Sequence, residues 1–287
     1  MPIQRNLSLL LIVLFSLSSC KNNNSSSENQ AEENRRLVSL NGTITEIISE
    51  LGYQDQLVAV DVTSVYPEDL GNVTNLGHVM NLSIEALLEQ RPTQIFAVRK
   101  DLSSEVQEKL DQLQVPVHYY EHEYSAEGAK DLIAAVAQDL QTEEPRELLQ
   151  SIDQDLNDLE NLDPKPRVMF IYARGSGTLL VGGNDTPAAS MIELAGGTNA
   201  ATAFDDYRPL TTEAVAQANP DVILLFETGL SSLGGPQGLE DVPGLATTNA
   251  VKKQQIISMD GLYLTGFGPR TGVAAKELNQ AFKDYAK

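Results

Sequence analysis

The sequence predicts an α/β protein of two Rossmann-like lobes that face a ligand cleft and are joined by one long backbone helix. Three observations carry that expectation. From Arg36 onward, short apolar runs alternate with amphipathic segments, the pattern of strands and helices packed in layers. The polar stretch Glu143 to Leu162 interrupts the alternation and carries Leu148, Leu149, Ile152, Leu156 and Leu159 at helical spacing, a narrow apolar stripe on a charged helix. After Pro166 the alternation restarts, and one unit is written twice. Ser83-Ile84-Glu85 leads through Pro92 to the run Gln94–Val98, and Thr211-Thr212-Glu213 leads through Pro220 to Val222–Phe226. In both copies the glutamate stands two residues after the capping hydroxyl, and the proline seven residues after the glutamate.

Taken in chain order, the first element is an export signal. Arg5 precedes an apolar run from Leu7 to Leu17 that is too short to span a bilayer comfortably. Leu17-Ser18-Ser19-Cys20 resembles a bacterial lipobox, which would leave Cys20 acylated as a lipid anchor on an exported protein facing the periplasm or the cell exterior. Residues 1–19 are therefore expected to be a signal peptide, and 20–35, rich in Asn, Ser, Gln and Glu, a flexible tether. The N-terminal lobe is expected over 36–141, the linking helix over 142–163 and the C-terminal lobe over 164–287. Within the first lobe, strands are predicted at Leu37–Leu40, Leu57–Val62, Gln94–Val98 and Val117–Tyr120. Helices are predicted at Thr43–Leu51, closed by Gly52, and at Ser83–Gln90, Ser103–Leu113 and Ser125–Leu140. Within the second, strands are predicted at Arg167–Tyr172, Val222–Phe226 and Gln255–Met259, with helices at Pro187–Ala195, Thr212–Ala218 and Gly272–Tyr285.

With 40 Asp+Glu against 20 Lys+Arg, the formal charge of -20 argues against nucleic acid as a partner. Cys20 is the only cysteine, so no intramolecular disulfide forms. Leu40-Asn41-Gly42-Thr43 after the first strand reads as a helix cap, not a nucleotide-binding glycine loop. His78, His118 and His122 are dispersed, and His118 and His122, four apart, are expected to face different ways.

Two segments that follow strands, and one Gly-rich turn that leads into the last helix, offer side chains to the expected cleft. In Asp61-Val62-Thr63-Ser64-Val65-Tyr66-Pro67, the proline restricts Tyr66 to extended backbone and so fixes its direction. Tyr172-Ala173-Arg174-Gly175 offers an aromatic and a cation, as does the Gly-rich turn Gly266-Phe267-Gly268-Pro269-Arg270. A surface tyrosine and a capping arginine are the plainer alternatives.

Together with Gly182-Gly183, the helix end Met191–Gly197 and the run Tyr207-Arg208-Pro209-Leu210-Thr211, these segments bring a family into view. After residue 36 the whole chain resembles the periplasmic haem-binding proteins of bacterial ABC importers, in the class that also carries cobalamin and ferric siderophores. That resemblance implies the class III periplasmic binding protein fold, a monomer, and haem b (hemin) as transported ligand. It implies Tyr66 as the ligand of the haem iron and Arg270 as the cation that helps its phenol ionise. Tyr172, Arg174 and Phe267 are implied in the ligand cleft. His78 and Met80 stand where relatives carry Tyr and Arg, which puts contacts on that side in doubt and leaves His78 open as a second iron ligand. Glu85 and Glu213 are implied as paired handles for the ABC permease, which works with its ATPase subunit; acidic residues favoured by a helix N-terminus are the alternative. Competing functions are a binding protein for a ferric siderophore or cobalamin, and, in another class, a membrane-anchored tetrapyrrole-modifying enzyme. The enzyme needs a general acid or base, for which the sequence offers His78.

Overall fold

The computed structural model describes residues 35–175, 177 and 179–285; the expected signal peptide, the Cys20 anchor and all but the last residue of the tether lie outside the described residues. The first half runs β1 (Leu37–Ser39), α1 (Gly42–Glu50), β2 (Leu57–Val60), β3 (Thr74–Asn75), α2 (Ile84–Glu89), β4 (Gln94–Val98), α3 (Ser104–Asp111), β5 (Val117–Tyr120), α4 (Ala126–Asp139) and α5 (Arg146–Asn157). The second runs β6 (Arg167–Ala173), β7 (Leu179–Gly182), α6 (Pro187–Leu194), β8 (Thr198–Asn199), β9 (Tyr207–Pro209), α7 (Thr212–Ala218), β10 (Val222–Phe226), α8 (Glu227–Ser232), α9 (Asn249–Lys252), β11 (Ile256–Met259), α10 (Gly261–Thr265) and α11 (Thr271–Tyr285).

Each half builds its own sheet. The first is ordered β3-β2-β1-β4-β5 with every pairing parallel. Parallel strands are covered on both faces, which is why β4 reads as the continuous apolar run Ile95-Phe96-Ala97-Val98. Alternate side chains serve opposite layers: Phe96 and Val98 pack with α1 and α4, while Ile95 and Ala97 pack with α2 and α3. Burial of Ile95, Phe96 and Val98 stabilises the fold by about 1.5–3 kcal/mol each relative to exposure, and the smaller Ala97 contributes less.

The second sheet is ordered β11-β10-β6-β7-β9, with β8 also paired to β6. Its parallel part, β11-β10-β6, matches β5-β4-β1, so the repeated helix–Pro–strand unit occupies equivalent places in both sheets. Ser83 and Thr211 both cap their helices, accepting from Ala86 N at 3.2 Å and Ala214 N at 3.1 Å. Beyond β6 the second sheet departs: β7 and β9 are antiparallel additions that the sequence pattern did not announce.

The linking helix is shorter than its expected span. It covers Arg146–Asn157, with Pro145 ahead of its first turn. At the far end, the buried Asn279 side chain accepts from Glu160 N (3.0 Å) and donates to Glu160 O (2.9 Å), drawing the chain out of the helix. Its apolar stripe bridges both halves: Ile152 packs in the first core, and Leu156 touches both cores. Against it lies α11, so close at Gly272 that a Cβ there would stand 2.8 Å from Asp155 Cβ and 2.9 Å from Ile152 O. Among the described residues, no helix is long and apolar enough to cross a membrane.

Candidate functional site

The loop after β2 is fixed by its own first residue. Asp61, 1 % exposed, accepts from Thr63 N (3.0 Å), Thr63 Oγ1 (2.7 Å) and Ser64 Oγ (2.9 Å). Burial pushes its carboxyl above the usual range, against the pull of those hydrogen bonds. Thr63 Oγ1 in turn accepts from Gly42 N at 2.9 Å, tying the loop to the first turn of α1. Only glycine fits there, because a Cβ at position 42 would overlap the Thr63 carbonyl. Asn41 caps the same helix, accepting from Thr43 N at 2.9 Å, as the sequence predicted.

The loop delivers Tyr66 to Arg270. The Tyr66–Pro67 peptide is cis, and the ring is half-buried. Arg270 Cζ lies 3.7 Å from the centre of that ring and 5.0 Å from that of Tyr263. Glu46 of α1 takes the guanidinium edge, accepting from Nε and Nη2 at 2.8 Å each. Burial pushes the Glu46 carboxyl upward against the pull of Arg270. Burial also opposes the Arg270 charge, yet the hydrogen bond and charge of Glu46 raise it above its ordinary value. Glu46, 4 % exposed, went unnoticed in the sequence. Its signal was a charge inside a helix whose neighbours Thr45, Ile47 and Ile48 are all apolar or small and buried.

Beside this cluster opens a cavity of about 470 Å³ between the halves. Thr63 and Val65 line it from the first half; Tyr172, Arg174, Phe226 and Leu262 line it from the second. Tyr66 stands at its side, not in its wall, because its ring turns toward Arg270 while Val65 faces the space. The second half presents packed aromatics: Tyr172 and Phe226 have ring centres 5.9 Å apart at 90°, and Tyr207 stands 6.2 Å from Tyr172. Arg174, exposed, lies 5.4 Å over the Tyr172 ring. Thr63 also borders a second cavity of about 360 Å³ lined by His78, Met80, Asp61 and Lys100. There Met80 is 51 % exposed, and His78 Nδ1 accepts from Met80 N at 3.4 Å.

Phe267 is not a cleft residue. It is 1 % exposed within the second core, with its ring centre 5.8 Å from that of Tyr124. Its left-handed backbone (φ 46°) turns the side chain inward and leaves its carbonyl 3.4 Å from His122 Nε2. His118 and His122 are kept apart, as expected: His118 stacks on Phe96 and pairs with Asp139, whereas His122 is buried between the halves. Glu85 and Glu213 are both exposed, each in the first turn of its helix. The Glu85 carboxyl is held below its ordinary range by its own backbone N–H and by Ser83.

The chain compares well with proteins of this architecture. The periplasmic heme-binding protein RhuT from Roseiflexus sp. RS-1 superimposes with a TM-score of 0.82 at 36% identity, covering 88% of this chain and 99% of that one. An uncharacterized ABC transporter substrate-binding lipoprotein of Bacillus subtilis, YvrC, is 24% identical over 87% of this chain and 80% of its own length. The vitamin B12-binding protein of Yersinia pestis is 26% identical over 79% of this chain and 78% of its own. Residues 37–262 match the periplasmic binding protein family across both sheets and the segment joining them. With two related halves facing a shared cavity and a family match of that extent, the chain belongs to the periplasmic binding protein family.

Proposed function

We propose that this chain is the substrate-binding component of an ABC importer, and that its cargo is haem. Tyr66 meets the ferric iron from the edge of the inter-lobe cavity, with Arg270 beside it. The aromatic wall of Tyr172 and Phe226, with Tyr207 packed beside Tyr172, takes the macrocycle face, and Arg174 stands at the rim. The observation that carries the reading is the stacking of a C-terminal-half guanidinium on a loop phenol beside a cavity walled by aromatics. Arg270 sets a positive charge against the ring of the phenol that would take the ferric iron, and Glu46 offsets part of that charge. The 36% identity to a heme-binding protein, against 26% to a vitamin B12-binding protein, supports haem over cobalamin.

Division of the chain at 36–141, 142–163 and 164–287, an acylated Cys20 and a monomeric state complete the proposal. Glu85 and Glu213, at equivalent ends of α2 and α7, are the handles for a permease with two equivalent halves. Delivery of this kind needs no chemistry on the ligand.

Hemin titration of residues 36–287 tests the reading. A saturable spectrum of tyrosinate-ligated ferric haem is expected, with no binding of cobalamin or a ferric siderophore. Outer-sphere partners of a metal commonly contribute 10–100-fold to affinity, so Tyr66→Phe should cost at least about 100-fold and abolish the charge-transfer band. An unchanged spectrum in that variant overturns the assignment, and conversion of hemin to a new pigment supports the enzyme alternative.

A further inference from the structure

We infer that Glu46 is a positioning residue for Tyr66: it holds the Arg270 guanidinium flat against the phenol ring, so that the tyrosine's environment depends on how the two lobes are seated. The inference deepens the reading of Tyr66 given above and rests on it.

A carboxylate is costly to bury and persists in an interior only with a partner that satisfies it. Glu46 is such a group, flanked on α1 by the buried Thr45, Ile47 and Ile48. Its partner lies 224 residues further along, at the start of α11. Two hydrogen bonds of 2.8 Å, from Nε and Nη2, match the carboxylate fork and fix the plane of the guanidinium. That leaves the flat face of the group for the Tyr66 ring at 3.7 Å. Edge and face are used at once, which a lysine cannot do.

The arrangement crosses the molecule. Glu46 and Tyr66 belong to the first half, Arg270 to the second, so an arginine of one lobe is clamped between two groups of the other. Neighbouring contacts keep the same register: Thr43 Oγ1 donates to Gly266 O at 2.8 Å, four residues before Arg270. Any movement that parts the lobes at α1 draws the guanidinium away from the phenol. The affinity of the site is in this way tied to the seating of one lobe on the other.

Four proteins separate this role from plain structural support: wild type, Glu46→Gln, Arg270→Gln and the double variant. Glu46→Gln should shift the tyrosinate charge-transfer band in the direction Arg270→Gln shifts it, and weaken hemin binding by about tenfold, in the range of a desolvated cation–π contact. Added to Arg270→Gln, it should change affinity by less than about twofold, since its effect passes through the arginine. A lowered melting temperature with band and affinity unmoved, or full additivity with Arg270→Gln, overturns the inference. Should Glu46→Gln not fold, Glu46→Asp keeps the charge but withdraws it by one methylene; an unmoved band there overturns it equally. A ligand-free readout keeps the two claims apart. If wild type binds no hemin, the haem reading falls, and the ring resonances of Tyr66 in labelled apoprotein, assigned by their loss in Tyr66→Phe, decide this one. Movement in Glu46→Gln like that in Arg270→Gln supports it, and no movement overturns it.

Discussion

The two halves share a plan and divide the work. In the first, an all-parallel sheet ends in polar loops: Asp61 organises the turn that carries Tyr66, and His78 caps a short turn bordering the adjoining cavity. In the second, the antiparallel pair β7 and β9 extends the sheet and sets Tyr207 beside Tyr172, which lines the cavity together with Phe226. One half supplies directed polar chemistry, and the other a broad aromatic surface. Part of the difference lies where the second sheet leaves the shared order, at Tyr207 on β9; Tyr172 and Phe226 end β6 and β10, strands that have counterparts in the first sheet.

The comparison is easiest to break where the halves are joined. Gly272 lets α11 approach α5, and valine there would force a Cβ to 2.8 Å from Asp155 Cβ. Gly272→Val should destabilise the fold by about 1–3 kcal/mol, read by denaturant unfolding, and weaken hemin binding through Arg270, two residues before it. The division of labour itself is sharpened by Tyr207→Ala. Removing one partner of an aromatic pair is worth about 0.5–1.5 kcal/mol, so affinity should fall several-fold while the charge-transfer band of the other half stays in place.

A smaller effect comes from His122, buried where the halves meet. Burial holds its imidazole below the ordinary value of 6.5, so the unfolded chain takes up a proton that the folded one does not. Its contribution is fully present above that value and is lost as pH falls through it toward the folded one. The melting temperature should therefore drop between about pH 7 and 5, and less steeply in His122→Gln. Least of all, Glu85→Ala with Glu213→Ala should leave hemin affinity unchanged while reducing transport in cells. Equal transport would remove the functional meaning of the repeat.

Much of this architecture was legible because the halves obey local rules. Gln94–Val98 and Val222–Phe226 fall where their apolar runs predicted, and Ser83, Thr211 and Asn41 cap the helices they were expected to cap. What was hidden depends on distant partners. Strand β9, Tyr207–Pro209, is exposed throughout and exists through its pairing with β7. The linking helix stops early because Asn279, far along the chain, captures Glu160. Phe267 sat in a segment read as cleft-facing, yet its backbone turn buries the ring. Of the expected site, the meeting of Tyr66 with Arg270 was visible from the resemblance. Glu46, which completes it, was not, since no local pattern marks a partner 224 residues away.

The outermost strand β9 has a consequence for behaviour at high concentration. Open sheet borders invite other chains to zip on through free backbone donors and acceptors. Here the border ends in Pro209, which has no amide hydrogen to offer, and carries the charge of Arg208 next to it. Many copies gathered at close quarters are thereby discouraged from joining edge to edge into aggregates.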